Sequence, residues 1–594
     1  MSKRTPSDTR PGQQGAGGRK DAARGQPAAR PVSEPTPLAS WVPTPAGIRE
    51  TVESVIVAFV LAFLFRTFEA EAFVIPTGSM APTLMGRHKD LYCPVCGHEF
   101  QVSASDTTDR DNNTTREAVV NSGTCPFCRE PVDLRPGNPE HESYPTYNGD
   151  RILVAKFPYM FGEPKRWDVI VFRYPGDATT NFIKRLVGLP GETIQIHHGD
   201  LWIRDKHGTV QIARKSPQKL LAMLRPVFDN DLAPRITALG WPARWQGVPA
   251  GDGSGQWDSA NGMAFESDGS AEAARWLRYR HMVPSYAQWQ DVLRFHAAPA
   301  GETIRPRLIS DFTAYNTGTD SPLREPKCSS EGLHWVGDLA LECTLDVQSD
   351  AGEMIFELVK GGRRFQCRID VADGTATLGV PGPGTADFRP QARTAVRGPG
   401  RHTVMFANVD DELRLWVDGR VTEFDAATTY DSFALGARVP TEADLSPVGI
   451  AVRKAAAKVS HLKLSRDIYY IADEMQQIQH EDLNDFKRDQ PELGDPDTWA
   501  LGFADANMRR IEFPLAPPDP KHPERDQFLV LGDNSASSKD CRLWWVDHVD
   551  RWVPRKLLIG KALYIYWPHS WDEVPYLRIP LYYFPNFKRM HLVR

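Results

Sequence analysis

A mainly β protein is the fold class this sequence predicts, with one N-terminal membrane helix in front of it and an antiparallel β-sandwich inserted within it. Three observations carry that expectation. Short runs rich in branched residues, bounded by Gly, Pro and Asp, recur at residues 152–155, 169–174, 193–196, 528–531 and 562–567. Strict apolar/polar alternation fills much of residues 305–464. An unbroken apolar run, VIVAFVLAFLF, occupies residues 55–65.

The chain has 594 residues, more than one domain holds. Its 48 Pro and 45 Gly favour turns and short strands over long helices. A net charge of −6 argues against the basic footprint of a nucleic-acid binder. Eight cysteines are too few for a disulfide scaffold at this length.

Residues 1–47 are rich in Gly, Pro, Ala and Arg and poor in large apolar side chains, so they read as a disordered tail. Residues 48–68 hold the apolar run, with Glu53 and Arg66 near its ends to snorkel. Three readings compete for it: a membrane anchor, a cleaved secretion signal ending at Ala70-Glu71-Ala72, and a buried soluble helix. As an anchor, its basic tail predicts a cytoplasmic N-terminus and places the rest on the extracytoplasmic face.

Residues 69–92 and 149–204 carry the first β texture. Between them, at 93–148, lie Cys93-Pro-Val-Cys96 and Cys125-Pro-Phe-Cys128. Two CxxC knuckles at this separation read as a ribbon holding one structural zinc, with disulfides as the alternative. Four thiolates leave no open position for catalysis by the metal. Residues 205–304 are Trp-rich and read as a connector, with helices expected at 220–224 and 276–280. In 305–468, Leu339, Leu341, Cys343, Leu345 and Val347 alternate with polar residues, as do Phe365, Cys367, Ile369 and Val371. Asp418-Gly419 is a hairpin signal. These predict the sandwich, with Cys343 and Cys367 as small buried hydrophobes. Residues 469–525 read as a linker with some helix, and 526–594 as the last β block.

Three segments carry the chemistry. Ser79 lies between Gly78 and Met80, with Pro76 and Pro82 nearby; alone, this is as well read as a turn. A serine hydroxyl needs a base to become a nucleophile. Lys184 sits among Phe182, Ile183, Leu186 and Val187, where burial lowers an amine's pKa toward that of a general base; the bland reading is a surface lysine on an edge strand. Residues 530–544 read as a turn after a strand, with Asp540 and Arg542 two apart and able to pair on one strand face, and Ser538 beside them.

Taken together, IPTGSMAPTL at 75–84, GDRILVAKF at 149–157, 167–174 followed by FIKRLVGLPGE at 182–192, and LGDNSASSKDCR at 531–542 resemble the four boxes of bacterial signal peptidase I. The resemblance covers about a third of the chain. It implies a membrane-bound serine endopeptidase that removes signal peptides from exported preproteins after Ala-x-Ala, at the cytoplasmic membrane and without a catalytic cofactor. Ser79 would be the nucleophile and Lys184 the base. Ser538 would orient the amine, Thr77 and the Ser79 N–H would hold the oxyanion, and Asp540 and Arg542 would buttress the site. Ile75, Pro76, Met80, Leu84 and Ile183 would line the pockets for small side chains. Cys541 replaces a small serine. The stretch at 413–420, LRLWVDGR, resembles laminin-G and concanavalin-like jelly rolls, whose ligands are carbohydrates or proteins. The partners implied are therefore signal peptides, the lipid bilayer and a ligand of the sandwich, with no nucleic acid. A silent, membrane-tethered binding protein acting through the sandwich is the alternative, as is a serine–lysine self-cleaving regulator.

Overall fold

The computed structural model describes residues 45–594 apart from 69, 106, 110–113, 117–118, 136, 139–143, 250–255, 260, 296–303, 319–331, 474–484, 488–489, 505–506 and 575–578. The expected disordered tail therefore lies largely outside the described residues. The chain divides into two units, residues 1–63 and 64–594.

A helix, α1, runs over Pro45–Phe68. Its side chains are described only as far as Val60, and over the described residues no helix is long and apolar enough to cross a membrane. The expected membrane span thus falls partly outside what is described. Within the described part, Val55, Ile56, Val57, Phe59 and Val60 are 48–72% exposed.

The second unit is mainly β, as the alternating texture predicts. Seven strands form the sheet that holds Lys184 and leads into the turn at Ser79: β1 (Ala70–Val74), β2 (Arg151–Ala155), β3 (Val169–Tyr174), β4 (Asp177–Gly188), β5 (Gln527–Leu531), β6 (Val553–Pro554) and β7 (Leu558–Trp567). Their order is β1-β2-β7-β3-β4-β5-β6, and every pairing is antiparallel. Segments separated by more than 300 residues are thereby adjacent: β4 pairs with β5, and β3 with β7.

Both faces of this sheet are covered. Along β3, Val169 and Val171 join a cluster with Ile75, Met80 and Ile183, whereas Ile170 and Phe172 join another with Leu186 and Leu529. A strand buried on both sides reads as continuously apolar, which is how VIVF looks in the sequence. A four-stranded sheet, in the order Val210–Ile212, Asp200–Arg204, Thr193–His197, Ile511–Pro514, packs its Ile194, Ile196 and Phe513 into the second cluster. Ile511–Pro514 lies within the segment expected to be a linker; the described residues of 469–490 contain no helix.

The sandwich forms as two seven-stranded antiparallel sheets. Leu339, Leu341, Cys343, Leu345 and Val347 of one sheet face Met354, Phe356, Leu358, Phe365, Cys367 and Ile369 of the other in one core. Asp418 and Gly419 both take positive φ, 52° and 74°, in the two-residue loop joining Glu412–Val417 to Arg420–Val421. That conformation is why Asp-Gly marks such hairpins.

The stretch read as a connector supplies strands to both sheets: Arg225–Asp229 and Ala264–Ser267 pair with Ala457–Arg466, and Trp245–Gly247 and Arg275–Tyr279 join the opposite sheet. Residues 276–280, expected to be helical, lie mostly in the strand Arg275–Tyr279. Leu277 and Tyr279 face the core while Trp276 and Arg278 face outward, a period of two hidden by the amphipathic Trp and Arg. The helix expected at 220–224 does form, over Pro217–Met223, with Ser216 as its cap and Pro217 at its first position.

The four knuckle cysteines close the turns of two hairpins, His88–Tyr92 with Glu99–Ser103 and Ser122–Thr124 with Pro131–Asp133. Each turn returns a backbone N–H to its first cysteine: Gly97 N to Cys93 O at 2.8 Å, and Arg129 N to Cys125 O at 3.0 Å.

Candidate active site

Ser79 lies in a single 3-10 turn, Gly78–Met80, that follows β1. It is 9% exposed. Lys184 projects from β4 toward it and is 4% exposed. Lys184 Nζ lies 2.8 Å from Ser79 Oγ and donates to Ile183 O at 2.9 Å. Burial is the main influence on this amine and brings it down to about 8, against the upward pull of the Asp540 carboxylate. An amine titrating near neutrality, within hydrogen-bond reach of a hydroxyl, has the geometry and basicity of a general base.

Opposite this pair stands the loop after β5. Asp540 and Arg542 form the ion pair expected of them, with Nε–Oδ1 and Nη2–Oδ2 both at 2.9 Å and no exposure of either residue. They stand on a turn rather than a strand, closed by Leu543 N to Asp540 O at 2.9 Å. Burial works to raise the Asp540 carboxyl, and Arg542 overcomes it and holds it below the usual range. Asp540 Oδ2 also accepts from Gly532 N at 3.0 Å, and Arg542 spans to Ile471 O and Ser535 O, both at 2.8 Å. The pair thus closes the loop after β5 on itself and ties it to the segment at Ile471.

Ser538 is buried beside the turn that carries Ser79. A methyl group at Gly532 would sit 2.1 Å from Ser538 Oγ and 2.4 Å from Ser79 O, so only glycine admits this approach. Among the described residues Ser538 Oγ has no hydrogen-bond partner; the contact to Lys184 expected of it is not formed. Cys541 is fully buried, and its Sγ accepts from Val530 N at 3.4 Å, so the departure from serine is absorbed by packing.

Thr77 is exposed at the head of the turn, and its side chain makes no capping bond to that turn. Ile75, Met80, Leu84 and Ile183 meet in one apolar cluster beneath the site. Met80 and Leu84 have no exposed surface, so they form the floor of the site rather than its open wall; Pro76 is exposed.

Sequence reasoning missed a second charged pair. Arg185, next to the lysine and directed to the other face of β4, forks onto Asp533 with Nε–Oδ1 and Nη2–Oδ2 both at 2.6 Å. Neither side chain is exposed. Arg225 approaches the same carboxylate at 3.5 Å, and Thr83 Oγ1 donates to it. Asn534 was also missed: its backbone N–H donates to Ser79 O at 3.1 Å and its side-chain Nδ2 to Gly78 O at 3.0 Å. One signal was present. An arginine in a strand this apolar requires a buried anion as partner.

The knuckle cysteines converge as expected. Their four sulfurs lie within 4.8 Å of one another, with Cys93–Cys128 at 3.3 Å and Cys96–Cys125 at 3.6 Å. These separations exceed a disulfide bond of about 2.05 Å and approach the roughly 3.8 Å edge of a tetrahedron with Zn–S near 2.3 Å. All four side chains are buried, and the donor set suits zinc.

A model of the family described as signal peptidase, peptidase S26, matches residues 127–251, a stretch holding Lys184 but neither Ser79 nor Ser538. The chain is 42% identical over 82 residues to signal peptidase I of Pseudomonas aeruginosa, covering 12% of this chain and 28% of that protein. It is 50% identical over 57 residues to signal peptidase I of Rickettsia typhi, covering 10% of this chain and 22% of that one. The chain thus spans less than a third of the length of either relative. Among solved structures, the carbohydrate-binding module CBM66 from Bacillus subtilis overlaps 37% of this chain and 94% of its own at 11% identity and TM-score 0.20, a level that defines no shared fold.

Proposed function

We propose that this chain is a signal peptidase I: a membrane-bound serine endopeptidase that cleaves the signal peptides of exported preproteins after small-x-small sites. The observation that carries the reading is the 2.8 Å approach of a buried, pKa-lowered Lys184 amine to Ser79 Oγ. The family match and the relatives' names support it.

The chemistry follows from the named atoms. Neutral Lys184 keeps one N–H on Ile183 O and turns its lone pair to the Ser79 hydroxyl. As Ser79 Oγ attacks the scissile carbonyl carbon, its proton passes to Nζ. The carbonyl oxygen becomes an oxyanion, stabilised by the Ser79 N–H and the Thr77 hydroxyl. The tetrahedral centre collapses with cleavage of the C–N bond, and Lys184 returns the proton to the leaving amine. Water, deprotonated by the same amine, then hydrolyses the acyl ester and frees Ser79. Ser538, carried close by Gly532, turns onto the amine once substrate fills the site; apo hydrogen bonds at catalytic centres are commonly incomplete. Ile75, Pro76 and Ile183 border the substrate pockets, over the floor made by Met80 and Leu84.

The remaining parts take supporting roles. α1 is the anchor, N-terminus cytoplasmic, with its exposed apolar side chains in lipid and the catalytic unit on the extracytoplasmic face. Cys93, Cys96, Cys125 and Cys128 hold one structural zinc, which cross-links the two hairpins. The sandwich takes a carbohydrate or protein ligand.

The test is cleavage of a preprotein with an Ala-x-Ala site by purified protein in detergent. Ser79→Ala and Lys184→Ala each reduce cleavage by at least about 10³-fold while thermal unfolding persists as a cooperative transition. Cleavage at the wild-type rate in either variant overturns the dyad.

A further inference from the structure

The inserted part of the chain reaches the nucleophile. Residues 311–318 run from the ribbon to the catalytic turn. Phe312 and Ala314 pack in the ribbon's core with the cysteines, and Thr317 Oγ1 accepts from Thr124 N at 2.8 Å. Between these tethers, Tyr315 lies against Gly78: a methyl group there would be 2.0 Å from the tyrosine Cε1. Tyr315 OH donates to Arg87 O at 3.3 Å. Asn316 exchanges two hydrogen bonds with Asn534, Nδ2 to Oδ1 at 2.8 Å in each direction.

That exchange fixes the Asn534 amide, and with it the second Nδ2 hydrogen, which donates to Gly78 O at 3.0 Å. Gly78 C=O and Ser79 N–H belong to one peptide plane and point in opposite directions. Holding the carbonyl therefore aims the Ser79 N–H. The bond from Asn534 N to Ser79 O, at 3.1 Å, fixes the next plane. Tyr315 closes the remaining side, against a residue with no side chain of its own.

We propose that Asn316 and Tyr315, supplied by the insertion, are positioning residues that hold the nucleophile turn so that the Ser79 amide faces the developing oxyanion. The insertion is thereby a working part of the catalytic unit. The kinetic side of this proposal rests on the peptidase reading above; the conformational side does not.

Both sides are tested with the full chain in detergent. In Asn316→Ala, kcat for an Ala-x-Ala peptide falls tenfold or more, KM stays within twofold, and the pH dependence of the rate keeps its limb, because Asn316 acts on the turn and not on the lysine. Hydrogen–deuterium exchange of residues 76–85 speeds up tenfold or more, while the sandwich strand Leu339–Val347 exchanges as before. Adding Asn316→Ala to Asn534→Ala changes either readout by less than twofold, since the two act through one link. Unchanged exchange at 76–85, a kcat within twofold of wild type, or additive effects in the double variant overturn the proposal. If the wild-type protein cleaves nothing, the peptidase reading fails and the exchange measurement alone decides.

Discussion

Lys184→Met is expected to abolish the proposed cleavage and to stabilise the protein at pH 7. The two effects share one cause. Burial lowers the amine from its ordinary value near 10.5 to about 8 in the folded chain. Below pH 8 the folded protein must carry a buried ammonium, and this penalty is fully present. As the pH rises from 8 toward 10.5, the folded state sheds its proton before the unfolded chain does, and the penalty fades. A shift of this size costs about 3 kcal/mol at pH 7. Methionine has nearly the same length and no charge, so it removes the penalty. Urea unfolding at pH 7 therefore shows the variant more stable by about 2–3 kcal/mol, with the difference shrinking toward pH 10. Equal or lower stability of the variant at pH 7 contradicts a desolvated lysine. Loss of stability in the functional side chain is an expected trade at an active site.

Arg185→Met has the opposite outcome. It leaves Asp533 buried with its two-pronged partner gone, and only Arg225, at 3.5 Å, to offset the charge. Removing one member of a buried ion pair costs about 3–5 kcal/mol. The same variant with Asp533→Leu removes the orphaned charge and recovers part of that loss; the non-additivity in urea unfolding measures the pair. If the single variant loses less than about 1 kcal/mol, Asp533 is not held by Arg185. The proposed activity is expected to fall with stability, because Asp533 precedes Asn534, whose side chain and backbone bond to Gly78 and Ser79.

These two side chains show what the sequence does and does not disclose. Lys184 and Arg185 are neighbours, yet only the lysine was legible. Its proposed role as a base rests on its apolar frame and on a serine in a Gly-Pro turn, and the two side chains lie 2.8 Å apart. The arginine's meaning depends on Asp533, 348 residues away, and no local pattern joins them. The same holds for Asn316: a polar residue in a nondescript stretch becomes a link to Asn534 only after the chain returns to β5. The sandwich core was legible at Leu339–Val347 and at residues 365–371, where apolar residues alternate with polar ones; the strand Glu353–Lys360 between them is buried on both faces and shows no such alternation. The sandwich's flanking strands at 225–279 were not legible, since Trp276 and Arg278 lie on the outward face with apolar surface of their own and blur the alternation. The convergence of the four knuckle cysteines was legible from spacing alone, because four thiols in two knuckles have few uses. The Asp540–Arg542 pair was anticipated correctly, but on a strand; a turn brings residues two apart together equally well. Ser538 was placed near the site by its neighbours, yet its bond to Lys184 is not made in this structure.

Whether Lys184, and no histidine, activates Ser79 is tested most directly by the pH dependence of kcat/KM for wild-type cleavage. With a buried amine as base, the rate rises with pH through a single limb near 8, as Lys184 loses its proton. A limb near 6.5, where an ordinary histidine titrates, or a rate flat across that range, contradicts it.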